Sequence, residues 1–108
     1  MLNFFRSAPR NYEDLDGNTF KTKFKSTPKA ALLDVRTPGE FATGSINGAQ
    51  NLDVSSPQFQ AALKTLDKDR EYFLFCRSGN RSGSACKMMA DQGFKVHNLA
   101  GGISAWPK

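Results

Sequence analysis

A chain of 108 residues with 39% hydrophobic and 23% charged residues has enough apolar material for one core, and its composition makes no case for disorder. Fifteen Lys and Arg against ten Asp and Glu give a net charge of +5, which favours anionic partners without choosing among them. No apolar run approaches the roughly 18 residues of a membrane span, and the opening "MLNFFRSAPR" lacks the apolar region and cleavage site of a signal peptide.

A single cytoplasmic domain over 1–108 is therefore expected, with 1–10 a loosely packed N-terminal segment and no membrane partner. Nucleic acid is not expected either, because the basic residues are scattered and no motif alternates them with aromatics. Two cysteines that do not form CxxC and one histidine are too few soft ligands for a zinc site, so reduced thiols and no metal are expected.

In chain order, the residues just after Asn11 are a candidate edge strand. Asp16 then caps a helix in which Phe20 and Phe24 share a face at i,i+4. "AALLDV" (30–35) is a short, nearly continuous apolar run of the kind covered on both faces in a parallel sheet. "AQNLDV" (49–54) is a weaker strand. In "SPQFQAALKTL", Pro57 sits just inside a Ser56 cap, with Phe59, Leu63 and Leu66 on one stripe. "EYFLFC" (71–76) is a second buried strand, and a helix from Ser82 puts 82, 85, 86 and 89 on one face before stopping at Gly93. "KVHNL" (95–99) is a last strand, in which His97 is expected to be exposed. This βαβα alternation predicts an open α/β sheet, with sites outside the carboxyl ends of its strands.

Cys76 falls at such an end, in "CRSGNRS". A thiol is a useful nucleophile only as thiolate, and cations, helix N-termini and convergent backbone N–H groups all favour that form. Arg77 and Arg81 supply charge, Gly79 and Asn80 tolerate the left-handed conformations of an anion-binding nest, and Ser82 opens a helix. No histidine is placed to act as a partner base, so the chemistry needs a thiolate and an anion cradle alone. Cys86, on the face of Ala85 and Met89, reads as a packed, inert thiol. "GG" at 101–102 and Trp106 read as close backbone packing and a hydrophobic anchor.

"CRSGNRS", preceded by "LLDVRTPGEFATGSINGAQNLDV" and followed by "GFKVHNLAGGISAW", resembles the single-domain rhodaneses, a sulfurtransferase family, over roughly residues 11–107. The resemblance implies a rhodanese-like open twisted parallel sheet of about five strands with helices on both faces. It also implies a catalytic Cys76 that carries a sulfane sulfur as a persulfide, with no cofactor. Arg77, Ser78, Gly79, Asn80, Arg81 and Ser82 match the loop around that sulfur, where the arginines attract a small anionic donor such as thiosulfate. The acceptor is a thiol, a protein cysteine or cyanide. Asp34 and Arg36 match a supporting block in which Arg36 pairs with Glu40 and braces the wall of the site. Ser45 and Asn47 stand where the family often has His and Pro.

Two other functions fit part of this pattern. Protein-tyrosine phosphatases and arsenate reductases also hold a low-pKa cysteine in an arginine-bearing loop, but with C-x5-R spacing, whereas four residues separate Cys76 from Arg81. A non-catalytic interaction module is the other, and the presence of Cys76 counts against it.

Overall fold

Two apolar runs form the middle of the sheet because their side chains are covered on both faces. The computed structural model describes residues 12–108, so the expected N-terminal segment at 1–10 lies outside the described residues. In chain order the elements are β1 (Glu13–Leu15), α1 (Gly17–Ser26), β2 (Ala30–Asp34), α2 (Pro38–Ala42), β3 (Gln50–Asn51), α3 (Phe59–Leu63), β4 (Glu71–Phe75), α4 (Asn80–Asp91) and β5 (Lys95–Leu99), followed by a 3-10 turn over Ile103–Ala105. All five strands are parallel, in the order β1-β5-β4-β2-β3. This is the open α/β architecture expected.

The period-2 alternation of strands divides the core into two layers. Leu32, Phe73, Phe75 and Leu99 face α1, where Phe20 and Phe24 each meet Phe73 edge-on at 5.4 Å and Trp106 closes the cluster. Leu33, Val35, Tyr72, Leu74 and Cys76 face α3 and α4, against Phe59, Leu63, Ala85, Cys86 and Met89. Asp16 caps α1 by accepting from the Thr19 N–H at 2.8 Å.

Four local expectations are corrected. Ser56 does not cap α3: its hydroxyl accepts from the Gln58 N–H at 3.1 Å in a tight turn, and the helix begins after Gln58. The strand expected over 49–54 pairs only at Gln50–Asn51, because beyond it the chain bends across the end of β2, with Leu52 N–H donating to the Asp34 carbonyl and Val54 N–H to that of Val35. Helix α4 starts at Asn80, two residues before Ser82, with Gly79 as its cap. His97 is only 7% exposed: it stacks on Phe73 with ring centroids 4.5 Å apart, and Glu13 and Glu71 flank its nitrogens.

Helix α2 went unread in the sequence, although "TPGE" carries its whole start signal. Thr37 Oγ1 accepts from the Glu40 N–H, the Glu40 carboxylate accepts from the Thr37 N–H, and Pro38 takes the first helical position.

At the end of β2, Asp34 and Arg36 form a buried pair. Asp34 is fully buried and accepts from Arg36 Nε at 2.9 Å and Nη2 at 2.7 Å, while a second Nη2 contact reaches the Gly44 carbonyl at 2.7 Å. Ser45 Oγ donates to the same carboxylate at 2.7 Å. Asn51 Nδ2 donates to the carbonyls of both Asp34 and Arg36. The expected Arg36–Glu40 pair is therefore absent: Asp34, two residues away and on the same wall, already holds the guanidinium. The pair ties the turn at 44–45 to β2, and Ser45 occupies a working position there. Asp34→Ala strands a guanidinium with 8% side-chain exposure and should cost about 3–5 kcal/mol in urea unfolding. A loss below about 1 kcal/mol would show that the pair does not hold this wall.

Candidate active site

Cys76 is the first residue past β4 and is fully buried. Phe75 ends β4, and Cys76 still packs in the layer facing α3 and α4 before the chain turns. The turn is made at Gly79, whose φ of +101° lies in the left-handed region, and α4 departs immediately afterwards. The turn brings donors onto the sulfur: Gly79 N–H donates to Cys76 Sγ at 3.0 Å and Ser82 Oγ at 3.3 Å.

Burial by itself pushes the Cys76 thiol up. The Ser82 hydroxyl and the backbone groups of Ser82, Gly79 and Ser78 outweigh it, and the thiol lies below its ordinary value. Of the three sources of activation anticipated, the arginines, the nest of backbone N–H groups and the helix start, it is the backbone donors, joined by the Ser82 hydroxyl, that lower the thiol. Asn80, expected to share the left-handed turn, is instead the first residue of α4; Gly79 alone makes that turn. Cys86 lies behind the site, fully buried on the inner face of α4, where burial pushes its thiol far up.

The two arginines of the loop have different surroundings. Arg81 makes a two-pronged pair with Glu40, Nη1 to Oε1 at 2.7 Å and Nη2 to Oε2 at 2.9 Å, which joins the first turn of α4 to α2. Glu40, expected to serve Arg36, serves this arginine instead. The Arg81 hydrogen bonds, with the Thr37 N–H, hold the Glu40 carboxyl down at about 2. Arg77 is exposed, and among the described residues no carboxylate pairs with it.

The segment after β5 backs the loop. Ile103 N–H donates to the Cys76 carbonyl at 2.8 Å. Gly102, with φ +79°, lies so close that a Cβ there would stand 1.8 Å from the Arg77 carbonyl oxygen and 2.7 Å from the Ser78 nitrogen. The "GG" pair thus seats the loop, a role its sequence signalled only as close packing. An open cleft of about 460 Å³ borders the loop's outer side, lined by Ser78, Gly79, Asn80, Asp14, Lys87 and Asn98 among others, and Cys76 does not line it. Asp14 and Asn98 carried no functional signal in the sequence beyond polarity at strand positions. No group of three or more His, Cys, Asp or Glu among the described residues is arranged to hold a metal ion, and no helix among them is long and apolar enough to cross a membrane.

Comparison with known proteins places this geometry among relatives. The family model for the rhodanese-like domain matches residues 18–108. A sulfurtransferase of Allochromatium vinosum is 35% identical over 96 residues, covering 88% of each chain. Thiosulfate sulfurtransferase GlpE of Ectopseudomonas mendocina is 33% identical over 107 residues, 98% of this chain and 87% of its own. Among solved structures, a rhodanese-related protein from Thermoplasma volcanium superposes with a TM-score of 0.76 at 29% identity, over 88% of this chain and 90% of that one.

Two outcomes are expected of this site. In a pH series of alkylation followed by peptide mass spectrometry, Cys76 should react with a midpoint below the ordinary thiol value of about 8.5, while Cys86 stays unmodified until the protein unfolds. A Cys76 midpoint at or above that value would remove the activation. For Glu40, whose carboxyl is lowered from 4.5 to about 2, the pair with Arg81 adds stability that is full above about pH 4.5 and is lost as pH falls through about 2. The parent's advantage over Glu40→Gln in denaturation curves should therefore shrink through that window; an advantage independent of pH would contradict it.

Proposed function

The chain belongs to the rhodanese-like domain family, and from that premise we propose that it is a sulfurtransferase using thiosulfate as donor and Cys76 as sulfur carrier. The observation that carries the reading is the buried thiol at the end of β4 that accepts from the Gly79 N–H and the Ser82 hydroxyl, with its pKa lowered.

The steps follow from that arrangement. The Cys76 thiolate attacks the outer sulfur of thiosulfate; a new S–S bond forms, the donor's own S–S bond breaks, and sulfite leaves with its electron pair. The terminal sulfur of the resulting persulfide is an anion, and the donors of Ser78, Gly79 and Ser82 suit it as they suit the thiolate. A thiophilic acceptor then attacks the outer sulfur and the thiolate returns; with cyanide the product is thiocyanate, and with a thiol or protein cysteine it is a new persulfide. Arg77 draws the anionic donor to the loop. Arg81, held by Glu40, keeps the first turn of α4 in place. The cycle needs no cofactor, and reduced thiols in a cytoplasmic setting suit it.

The test sets thiosulfate-to-cyanide transfer beside aryl phosphate hydrolysis. Cys76→Ser should give no thiocyanate while keeping the fold, because a serine oxygen cannot carry the sulfur. Arg77→Ala should raise the KM for thiosulfate several-fold with a smaller change in kcat. Cys86→Ala should keep transfer activity, and the parent's mass should increase by one sulfur after thiosulfate exposure. Thiocyanate formation that survives in Cys76→Ser, or phosphatase turnover above sulfur transfer in the parent, would overturn the reading.

A further inference from the structure

Gly79 carries the donor closest to the sulfur, yet nothing in its own covalent structure fixes the direction of that donor. Glycine in the left-handed region rotates more freely than any other residue, so its N–H stays on target only if its surroundings hold it. Those surroundings are specific. The Gly79 carbonyl accepts from Gly83 N–H at 3.0 Å, the first bond of α4, and from Asn98 Nδ2 at 3.1 Å. The same Asn98 nitrogen donates to Asp14 Oδ1 at 2.8 Å. A Cβ at residue 79 would stand 3.2 Å from Gly101 N and 3.3 Å from the Leu99 carbonyl, so the Gly79 backbone rests on the end of β5.

Asn98 is 3% exposed and projects from β5, whose position the central sheet sets. Both of its amide contacts are to oxygens, which fixes the amide orientation, since the flipped amide would set oxygen against oxygen. Asp14 lies on β1, paired with Asn98 in the parallel ladder. A chain of contacts thus runs from β1 through β5 to the thiol: Asp14 carboxylate, Asn98 amide, Gly79 carbonyl, Gly79 N–H, Cys76 sulfur.

We infer that Asn98, oriented by Asp14, is a positioning residue for the Cys76 thiolate: by anchoring the Gly79 carbonyl on β5, it keeps the Gly79 N–H aimed at the sulfur. The inference deepens the reading of Cys76 as sulfur carrier, but its consequence is thiol acidity, which is measured without any sulfur donor. The other charged groups about the loop are exposed Arg77, Arg81 held by Glu40 and felt also by Asp53, and Asp14 and Lys87 on the cleft along its outer side, while Cys86 stays protonated. Removing a negative charge lowers a neighbouring thiol's midpoint. A rise on loss of Asp14 therefore has the sign that positioning gives and charge does not.

The experiment is the pH dependence of Cys76 alkylation by iodoacetamide, read by peptide mass spectrometry in the parent, Asn98→Leu and Asp14→Ala. Continued protection of Cys86 reports an intact fold. In Asn98→Leu the midpoint should rise by about half to one pH unit, which is about 3- to 10-fold less thiolate at a pH well below the midpoint. Asp14→Ala should shift it in the same direction by less. A change of access alone would scale the rate at every pH and leave the midpoint in place. Unchanged midpoints in both variants, with Cys86 still protected, overturn the inference. If Asn98→Leu exposes Cys86, Asp14→Ala decides: an upward shift supports the anchoring role, and an unchanged or lowered midpoint overturns it. A parent that forms no thiocyanate would sink the sulfurtransferase reading while leaving this comparison intact.

Discussion

Burying a sulfur that must carry negative charge sets two demands against each other, because the cover that excludes water also penalises the charged form. The loop after β4 meets both by using its own backbone. Gly79 N–H and the Ser82 hydroxyl reach Cys76 Sγ directly, and further backbone donors of Ser78 and Ser82 favour the thiolate. Such donors belong to peptide groups, so they are positioned by the path of the chain. That path is in turn fixed by where β4 ends, where α4 begins and what lies behind the loop.

Two arginine–carboxylate pairs frame the site from the side of β2. Asp34–Arg36 is buried and holds the turn at 44–45 against the strand; Arg81–Glu40 is half-exposed and ties α4 to α2. They are separate pairs, and each is two-pronged. A loop that counts two arginines by sequence thus has only one, Arg77, without a carboxylate partner among the described residues.

Much of this was legible from residue order. The runs at 30–35 and 71–76 are nearly continuously apolar because both faces of β2 and β4 are covered, and that pattern marked two buried strands and the carboxyl end where Cys76 sits. Phe20 with Phe24, and 82, 85, 86 and 89, gave the inner faces of α1 and α4 by spacing alone. What stayed hidden depends on partners distant in sequence. Nothing local to Glu40 distinguishes Arg36 from Arg81 as its partner, since the choice is made by Asp34 having already taken Arg36. His97 sits at a strand position that reads as polar and outward, yet Phe73 stacks on it and the Glu13 and Glu71 side chains flank it. Asn98 falls in the same class: an amide in a short strand becomes meaningful only when β4, β5 and the loop are assembled.

The close fit of Gly102 against the Arg77–Ser78 peptide makes the loop a two-piece object. Residues 76–82 do not hold their shape as a self-contained cassette; they are cast against a mould formed by residues 98–103, which lies beyond the whole of α4 in sequence. Anyone transplanting the seven-residue loop into another α/β scaffold would have to carry the mould across as well, with a glycine at the contact point. For the same reason, a library that randomises the loop alone would sample mostly shapes that the unchanged mould rejects. Diversifying the two segments together is the route by which this architecture can be given a cradle of a different size.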